Sequence, residues 1–229
     1  MSANPADETL RAYRRWAPVY PPTAHNPLMR VEERAMLERW PDVAGRRALD
    51  LACGSGRYSE QLEQTGARRI VAMDFCMPML ERVSTGHCVC ASMMSLPFVS
   101  SAFDIVISGL ALGHATSVDA WMAEVARVLA PAGTLLYSDF HPEAARAGLT
   151  RSFKDQNNET CTVPHRSFEV DSQCAAATNA GLRIESVHEV RVGEELCEPF
   201  AHSQEFYRRW QGLPIVLVVR AHKLSSGMT

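Results

Sequence analysis

Short apolar segments that alternate with helical ones constrain the fold of this chain more than any other feature. The segments long enough for one strand each are Arg47–Ala52, Arg69–Asp74, His87–Ala91, Phe103–Leu110 and Thr134–Asp139. Helical periodicity between them is strongest over Val118–Leu129, where apolar residues recur at helical spacing. Strands that alternate with helices form βαβ units, so we predict an α/β fold with a doubly wound parallel sheet and helices on both faces.

Two less regular regions flank this alternating core. Before it, the amphipathic segments Leu10–Trp16 and Met29–Trp40 read as helices joined by a proline-rich stretch, which is either a surface loop or a mobile lid. After it, residues 143–166 are polar and weakly periodic, which favours a functional insertion over a plain connector. The remaining residues predict a helix over Ser172–Asn179, a strand over Leu182–Val190, a helix near Gln204–Trp210 and a buried strand over Ile215–Val219.

Composition excludes several classes of protein. The chain has 229 residues, which fits one domain, and its net charge of −3 argues against a broad nucleic-acid surface. No apolar run approaches the length of a membrane span, and the first residues lack the apolar core of a signal peptide. Seven cysteines without regular spacing predict reduced thiols in a cytoplasmic protein, and no ligand spacing predicts a metal site.

A glycine turn lies directly between the first predicted strand and the first helix of the core, in the segment Leu49–Gly56. Gly54 and Gly56 allow the backbone to turn tightly and to approach a ligand without Cβ atoms in the way. The third glycine of a dinucleotide fingerprint is replaced by Ser59, and no phosphate-binding P-loop is present. A nicotinamide oxidoreductase is therefore disfavoured.

The order of motifs around this turn resembles the class I S-adenosylmethionine-dependent methyltransferases. The matching features are the Asp50–Gly56 turn, Asp74 at the end of the second strand, the segment 91–98 that ends in Leu-Pro-Phe, and the turn over 127–133. The resemblance implies a mostly parallel seven-stranded sheet with an antiparallel C-terminal strand, S-adenosylmethionine as cofactor and methyl transfer as the activity. It also divides the single domain into a helical lid (1–45), a cofactor-binding core (46–141), a substrate-side insertion (142–170) and the C-terminal part of the sheet (171–229).

The resemblance assigns expected roles to individual residues. Asp74 would hold the ribose hydroxyls, Asp50 would orient the loop near the methionine moiety, and Ser92 replaces the usual aspartate that contacts the adenine amino group. The Tyr13–Tyr20 segment resembles a lid whose second tyrosine, with Arg30, approaches the methionine carboxylate. The full set of expected cofactor contacts is Tyr20, Arg30, Asp50, Ala52, Cys53, Gly54, Gly56, Asp74, Phe75, Met79, Ser92, Met93, Ser108 and Leu110.

Three histidines compete for the role of general base. Ligands of an open parallel sheet bind outside the carboxyl ends of its strands. His141 and His114 follow the fifth and fourth predicted strands, and His165 lies in the insertion. A hydroxyl acceptor needs a base near neutral pH, for which histidine is suited, and we rank them His141, His114, His165.

The resemblance leaves the methyl acceptor open. We expect a small-molecule acceptor, namely a hydroxyl or amine of an aromatic or polyketide-like metabolite, with neither nucleic acid nor membrane as partner and a monomeric or homodimeric protein. One alternative is carboxyl methylation of a carrier-bound acyl chain, for which a cationic entrance would be supplied by Arg146, Arg151, Lys154 and Arg166. Another is a non-catalytic protein that binds S-adenosylmethionine, suggested by the Ser92 replacement.

Overall fold

A seven-stranded sheet forms the centre of the fold in a computed structural model that describes residues 5–193 and 203–225. Cys197 lies outside the described residues. The strands in chain order are β1 (Arg47–Leu51), β2 (Arg69–Asp74), β3 (His87–Cys90), β4 (Phe103–Ser108), β5 (Leu129–Phe140), β6 (Ser152–Lys154), β7 (Thr160–Thr162), β8 (Leu182–Arg191) and β9 (Pro214–Lys223). Strands β6 and β7 form a separate antiparallel hairpin.

The sheet has the order β3-β2-β1-β4-β5-β9-β8. The first five strands run parallel, and β9 runs antiparallel to both of its neighbours, β5 and β8. Residues Ile215–Val219 are buried, as their continuous apolar run predicts for a strand covered on both faces. The predicted fold class, including the antiparallel C-terminal strand, is confirmed.

Helices cover both faces of the sheet. They are α1 (Pro5–Trp16), α2 (Pro27–Leu37), α3 (Arg57–Gln64), α4 (Met77–Leu80), α5 (Val118–Val128), α6 (Pro142–Arg146), α7 (Val170–Asn179) and α8 (Ser203–Trp210), with 3-10 turns at Ala17–Val19 and Leu112–His114. One apolar cluster joins α5 and α7 to the sheet, and a second joins α2 and α3 to it. Within the part of the chain described, no helix is long and apolar enough to cross a bilayer.

The boundary between α5 and β5 differs from the sequence-based expectation. The sequence predicts a turn over 127–133 and a strand that begins at Thr134, but α5 ends at Val128 and β5 begins at Leu129. Leu129 pairs with Phe103 and the next pair is Thr134 with Ile105, so β5 advances five residues where β4 advances two and carries a bulge. Ala132, with φ of 61°, lies inside this bulge, so the turn residues bend the strand instead of preceding it.

The insertion contains more regular structure than its weak periodicity indicates. Helix α6 and the β6–β7 hairpin both fall between residues 142 and 166. Phe153 is the buried side chain of β6, and its ring stacks on Trp16 of α1 with centroids 4.5 Å apart. The hairpin therefore packs against the N-terminal helix.

Candidate active site

A cavity of about 500 Å³ lies at the carboxyl ends of β1, β2 and β4. Its size falls in the range of small-molecule and cofactor sites. The expected site residues that line it are Tyr20, Asp50, Ala52, Cys53, Gly54, Asp74, Phe75, Ser92, Met93, Leu110 and His114. The structure thus brings together most of the residues that the motifs singled out.

The glycine turn presents its backbone to this cavity. Gly54 has φ of 56°, and Ala52, two residues before it, has φ of 57°, a conformation that costs an L residue energy. The Gly54 N–H donates to Asp74 Oδ2 at 2.9 Å, while the Cys76 N–H donates to Oδ1 at 2.8 Å. Burial raises the pKa of Asp74 above its ordinary value. The turn and the end of β2 therefore hold one carboxylate in a fixed position at the cavity wall.

Asp50 is supported by the residue that breaks the dinucleotide fingerprint. The Ser59 hydroxyl donates to Asp50 Oδ2 at 2.7 Å, and burial raises the pKa of Asp50 to about 7. Gly56 does not line the cavity: it caps α3 with φ of 90°, and a Cβ there would lie 3.0 Å from Val83. Gly56 thus serves the packing of the turn rather than contact with a ligand.

Three further expected cofactor contacts lie away from the cavity. Arg30 is exposed on α2. Met79 is fully buried in the cluster that contains Trp16 and Cys76. Ser108 is buried and donates from its hydroxyl to the Leu51 carbonyl at 2.9 Å, which ties β4 to β1. The resemblance placed Arg30 at the lid and Met79 and Ser108 near strand ends, but none of the three side chains lines the cavity, which corrects the expectation.

Ser92 lines the cavity on an exposed turn after β3. Its hydroxyl accepts from the Met94 N–H at 3.2 Å. Phe75, Met93 and Met94 line the same cavity and supply apolar surface. A planar aromatic ligand group would find both apolar contact and a hydroxyl here.

The N-terminal segment and the hairpin form a roof over the cavity. Tyr13, Trp16 and Tyr20 all line it, and Trp16 stacks on Phe153 as described above. Arg15 donates to Asp155 at 2.7 Å, which links α1 to the β6–β7 turn. Burial raises the pKa of Tyr20 to about 12, so this hydroxyl stays protonated near neutral pH.

His114 is the candidate base that reaches the cavity. Its Nδ1 lies 3.1 Å from the Pro164 carbonyl, and its Nε2 lies 3.1 Å from Arg151 Nη1 and 3.0 Å from the Tyr13 hydroxyl. Because a guanidinium can only donate, Nε2 accepts and Nδ1 carries the proton. Burial, with the nearby Arg151 charge, holds the pKa of His114 well below its ordinary value. The imidazole is therefore neutral, and its acceptor nitrogen is already in use.

The other two histidines do not line the cavity. His141 is buried as the N-cap of α6, where Nδ1 accepts from the Glu143 N–H at 3.2 Å and Nε2 lies 3.4 Å from Glu189. His165 packs edge-on against Phe140, with ring centroids 5.0 Å apart. The first-ranked candidate, His141, is corrected: the helix that follows it turns its ring away from the cavity.

Sequence reasoning missed a buried network centred on Glu32 of α2. Its carboxylate accepts from the Tyr58 hydroxyl at 2.7 Å, the Ser138 hydroxyl at 2.6 Å and Arg57 at 2.7 Å. Ser138 Oγ in turn accepts from the Leu110 N–H at 2.9 Å, and Leu110 has φ of 55°. A signal was present, because Glu32 falls at helical spacing between the buried Met29 and Met36.

Two arginines line the cavity, and they differ in their partners. Arg57 forms ion pairs with Glu32 and Glu33 at 2.7 and 3.2 Å. Arg151 donates to the Leu110 carbonyl at 2.8 Å and contacts His114 and Tyr13, all of them neutral. Among residues 5–193 and 203–225, no carboxylate forms an ion pair with Arg151. Its charge is therefore available to an anionic ligand.

The residues present fit an adenosyl cofactor. Asp74 offers two carboxylate oxygens, which suit a vicinal diol. Gly54, with its positive φ, places no Cβ atom in the turn beside this carboxylate. The apolar surface of Phe75 and Met93 and the hydroxyl of Ser92 lie at the same cavity. Hydroxyl recognition and an apolar surface are the two features that a nucleoside requires.

Comparisons with known proteins point to the same cofactor. Residues 49–137 match a family described as a methyltransferase domain. The chain is 28% identical over 210 residues to the malonyl-[acyl-carrier protein] O-methyltransferase of Enterobacter lignolyticus, covering 88% of this chain and 77% of that one. It is 28% identical over 159 residues to the biotin biosynthesis bifunctional protein BioHC of Saccharophagus degradans, covering 64% of this chain but only 28% of that protein.

The fold matches a solved structure over most of its length. An S-adenosylmethionine-dependent methyltransferase from Mesorhizobium loti superposes with a TM-score of 0.68 and 24% identity, over 84% of this chain and 97% of that one. The matched domain runs from β1 to β5, so it contains the glycine turn and Asp74. Residues 49–137 thus match a methyltransferase domain, and the chain has the fold of the S-adenosylmethionine-dependent methyltransferases.

Proposed function

We propose that this protein transfers the methyl group of S-adenosylmethionine to a carboxylate oxygen of an organic acid. The observation that carries the proposal is Arg151, a half-buried cation at the cavity with only neutral partners. Guanidinium groups bind carboxylates through paired, charge-assisted hydrogen bonds. The relative from Enterobacter lignolyticus is named for O-methylation of a malonyl group, which supports an acid as acceptor.

The state of His114 also favours a carboxylate. A carboxylate is already ionised near neutral pH, whereas a hydroxyl or amine must lose a proton to a base. His114 Nε2 accepts from Arg151 Nη1 at 3.1 Å, and a protonated imidazole there would face a guanidinium. The cavity therefore suits an acceptor that brings its own negative charge.

The side chains around the cavity have distinct tasks in this reaction. When bound, S-adenosylmethionine supplies a methyl group on a positively charged sulfur, which keeps the electron pair of the C–S bond as the carboxylate oxygen forms the C–O bond. We assign Asp74 to the ribose hydroxyls, Asp50 to support of the turn, and Arg151 to orientation of the acceptor. We assign the roof, in which Trp16 stacks on Phe153, to the exclusion of water, which would favour a reaction between opposite charges.

Methylation of a hydroxyl is the second candidate, because a neutral His114 does line the cavity. His114 could act as base if the acceptor hydroxyl replaced Arg151 and Tyr13 at Nε2. A non-catalytic binding protein is the third, and it predicts cofactor binding without transfer to any acceptor.

The wider proposals from the sequence fit this reaction. Cavity residues come from the proposed lid (Tyr13), core (Asp74), insertion (Arg151) and C-terminal part (Phe206) of one domain. We propose a monomer or homodimer in the cytoplasm, where the free thiols of the described cysteines would stay reduced.

The test compares Arg151→Ala with Arg146→Ala, an exposed arginine on α6 that pairs with Glu169. Transfer of a labelled methyl group is measured with carboxylic acids, phenols and amines, and S-adenosylhomocysteine binding by calorimetry. We expect methyl ester formation and a KM for the acid raised about 10- to 100-fold by Arg151→Ala alone, since bonds to charged groups contribute about 1.5–3 kcal/mol.

The cofactor measurement separates two roles for Arg151. We expect both variants to bind S-adenosylhomocysteine within about twofold of the unmodified protein. An Arg151→Ala variant that keeps its KM for the acid, or that loses S-adenosylhomocysteine binding, contradicts the proposal. Methylation of phenols but not acids would favour His114 as base.

A further inference from the structure

We propose that the acceptor acid has a hydrocarbon body, and that this body packs against an apolar wall beside Arg151. The wall consists of Leu28, Phe140, Leu149 and Phe206, which all line the cavity and which we call the acyl wall. The inference rests on the proposed carboxyl methylation and adds to it the class of acid.

The acyl wall is one packed surface built from separate parts of the chain. Leu28 comes from α2, Phe140 from β5, Leu149 from the segment after α6, and Phe206 from α8. All four belong to, or pack against, the same apolar cluster. Phe75, by contrast, packs with the roof cluster around Trp16, on the side of the cavity that carries Asp74. The acyl wall and Phe75 therefore belong to different apolar clusters, which meet at Tyr20.

Arg151 adjoins the acyl wall rather than standing apart from it. Its Nη1 donates to the Leu110 carbonyl at 2.8 Å, and the Leu110 side chain is buried in the acyl-wall cluster. A ligand whose carboxylate binds Arg151 thus has apolar surface next to it. A charged head and an apolar body match this pair of features.

Three polar side chains that line the cavity, Asn26, Tyr58 and Arg57, already have partners in the protein. Asn26 Oδ1 accepts from the Met29 N–H at 2.9 Å as the cap of α2. The Tyr58 hydroxyl donates to Glu32 at 2.7 Å, and the Arg57 guanidinium pairs with Glu32 and Glu33. These three side chains would not replace the hydrogen bonds to water that a polar acceptor body loses on binding.

Three side chains of the acyl wall still expose apolar surface that a ligand would bury. Leu28, Leu149 and Phe206 are only half-buried although they pack against the cluster. Covering such surface with a hydrocarbon removes it from water, which improves affinity by about fourfold for each methylene buried. The affinity for a hydrocarbon acid should therefore rise with each added methylene until the acyl wall is covered.

The experiment measures binding without methyl transfer. The protein is saturated with S-adenosylhomocysteine, and butanoate, hexanoate, octanoate and decanoate are titrated by calorimetry, with malonate and succinate as polar acids. We expect Kd to fall by up to about fourfold per added methylene between butanoate and octanoate. The polar acids should bind at least tenfold more weakly than octanoate.

Two variants test whether the hydrocarbon chain of the acid binds at the acyl wall. Phe206→Ala should weaken octanoate binding about tenfold and flatten the dependence on chain length, while Val99→Ala, at an exposed residue outside the cavity, should change neither. If acids bind through Arg151 but chain length has no effect, the acyl wall is wrong and carboxyl methylation stands. If Arg151→Ala changes the affinity of no acid, carboxyl methylation itself is wrong. The chain-length series needs no variant, so it tests the acyl wall even if Phe206→Ala fails to fold.

Discussion

Asp139, at the end of β5, gives the sharpest prediction about the stability of this protein. Its side chain is buried, Oδ1 accepts from the Gly113 N–H at 3.2 Å, and Oδ2 has no hydrogen-bond partner among the described residues. Burial raises the pKa of Asp139 from 3.8 to about 7. Replacement by Asn keeps the acceptor for Gly113 and removes the titrating group.

The direction in which stability changes with pH follows from proton binding to Asp139. Between pH 3.8 and about 7 the folded state keeps a proton that the unfolded chain has lost, so stability falls as pH rises through that window and is not regained above it. The whole shift corresponds to about 4 kcal/mol, of which about 3 kcal/mol falls between pH 5 and pH 8. Asp139→Asn should escape this loss. For a chain of this length the difference is about 5–10 °C in Tm.

The assay is thermal unfolding of both proteins at pH 5 and pH 8. We expect the Tm of Asp139→Asn relative to the unmodified protein to be about 5–10 °C more favourable at pH 8 than at pH 5. Asp104→Asn is the control: Arg47 holds the pKa of Asp104 at about 2, so this variant should lose about 1 kcal/mol equally at both pH values. An Asp139→Asn effect that is identical at pH 5 and pH 8 would refute the reasoning.

Three other substitutions test separate parts of the structure. Gly109→Ala would place a Cβ 2.4 Å from the Tyr58 ring, so we expect a loss of about 1–3 kcal/mol in thermal unfolding; an unchanged Tm would contradict this packing. Ser92→Asp should tighten S-adenosylhomocysteine about fivefold by calorimetry, because a charged acceptor forms a bond about twice as strong; weaker binding would remove Ser92 from the adenine site. Arg15→Ala breaks the bond to the buried Asp155, which keeps the Asn157 and Glu159 N–H groups as donors; because Arg15 is exposed, the pair contributes about 0.2–1 kcal/mol, so Tm should barely change while amide exchange in α1 accelerates. Unchanged exchange would mean that α1 is held by packing alone.

The sheet could be predicted because each of its strands carries a local signal. The buried strands read as apolar runs such as Ile215–Val219, and the glycine turn marks the carboxyl end of β1. The hairpin carries no such signal. Its strand β6 has one buried side chain, Phe153, and the partner of that ring, Trp16, is distant in sequence. Tertiary contact, rather than periodicity, therefore decides its structure.

The sequence predicts correctly those site residues whose backbone position alone brings them to the cavity. It does not predict the residues for which the direction of the side chain decides whether they line the cavity. Asp74 and Gly54 line the cavity because strand end and turn leave them no alternative. His141 and His114 both follow strands, yet only His114 reaches the cavity. The sequence contained part of the reason that His141 does not reach the cavity. Pro142 is the first residue of a helix, and the residue before such a proline commonly caps the helix.

The position of β9 has a consequence for synthesis of the chain. Strand β9 lies between β5 and β8, so residues 129–140 and 182–191 have no partner on their shared side until residues 214–223 have been translated. During that interval the nascent chain exposes β5, whose last eight residues are buried in the folded protein, as an unpaired edge. Ribosome-bound chains that stop before residue 214 should therefore depend on chaperones.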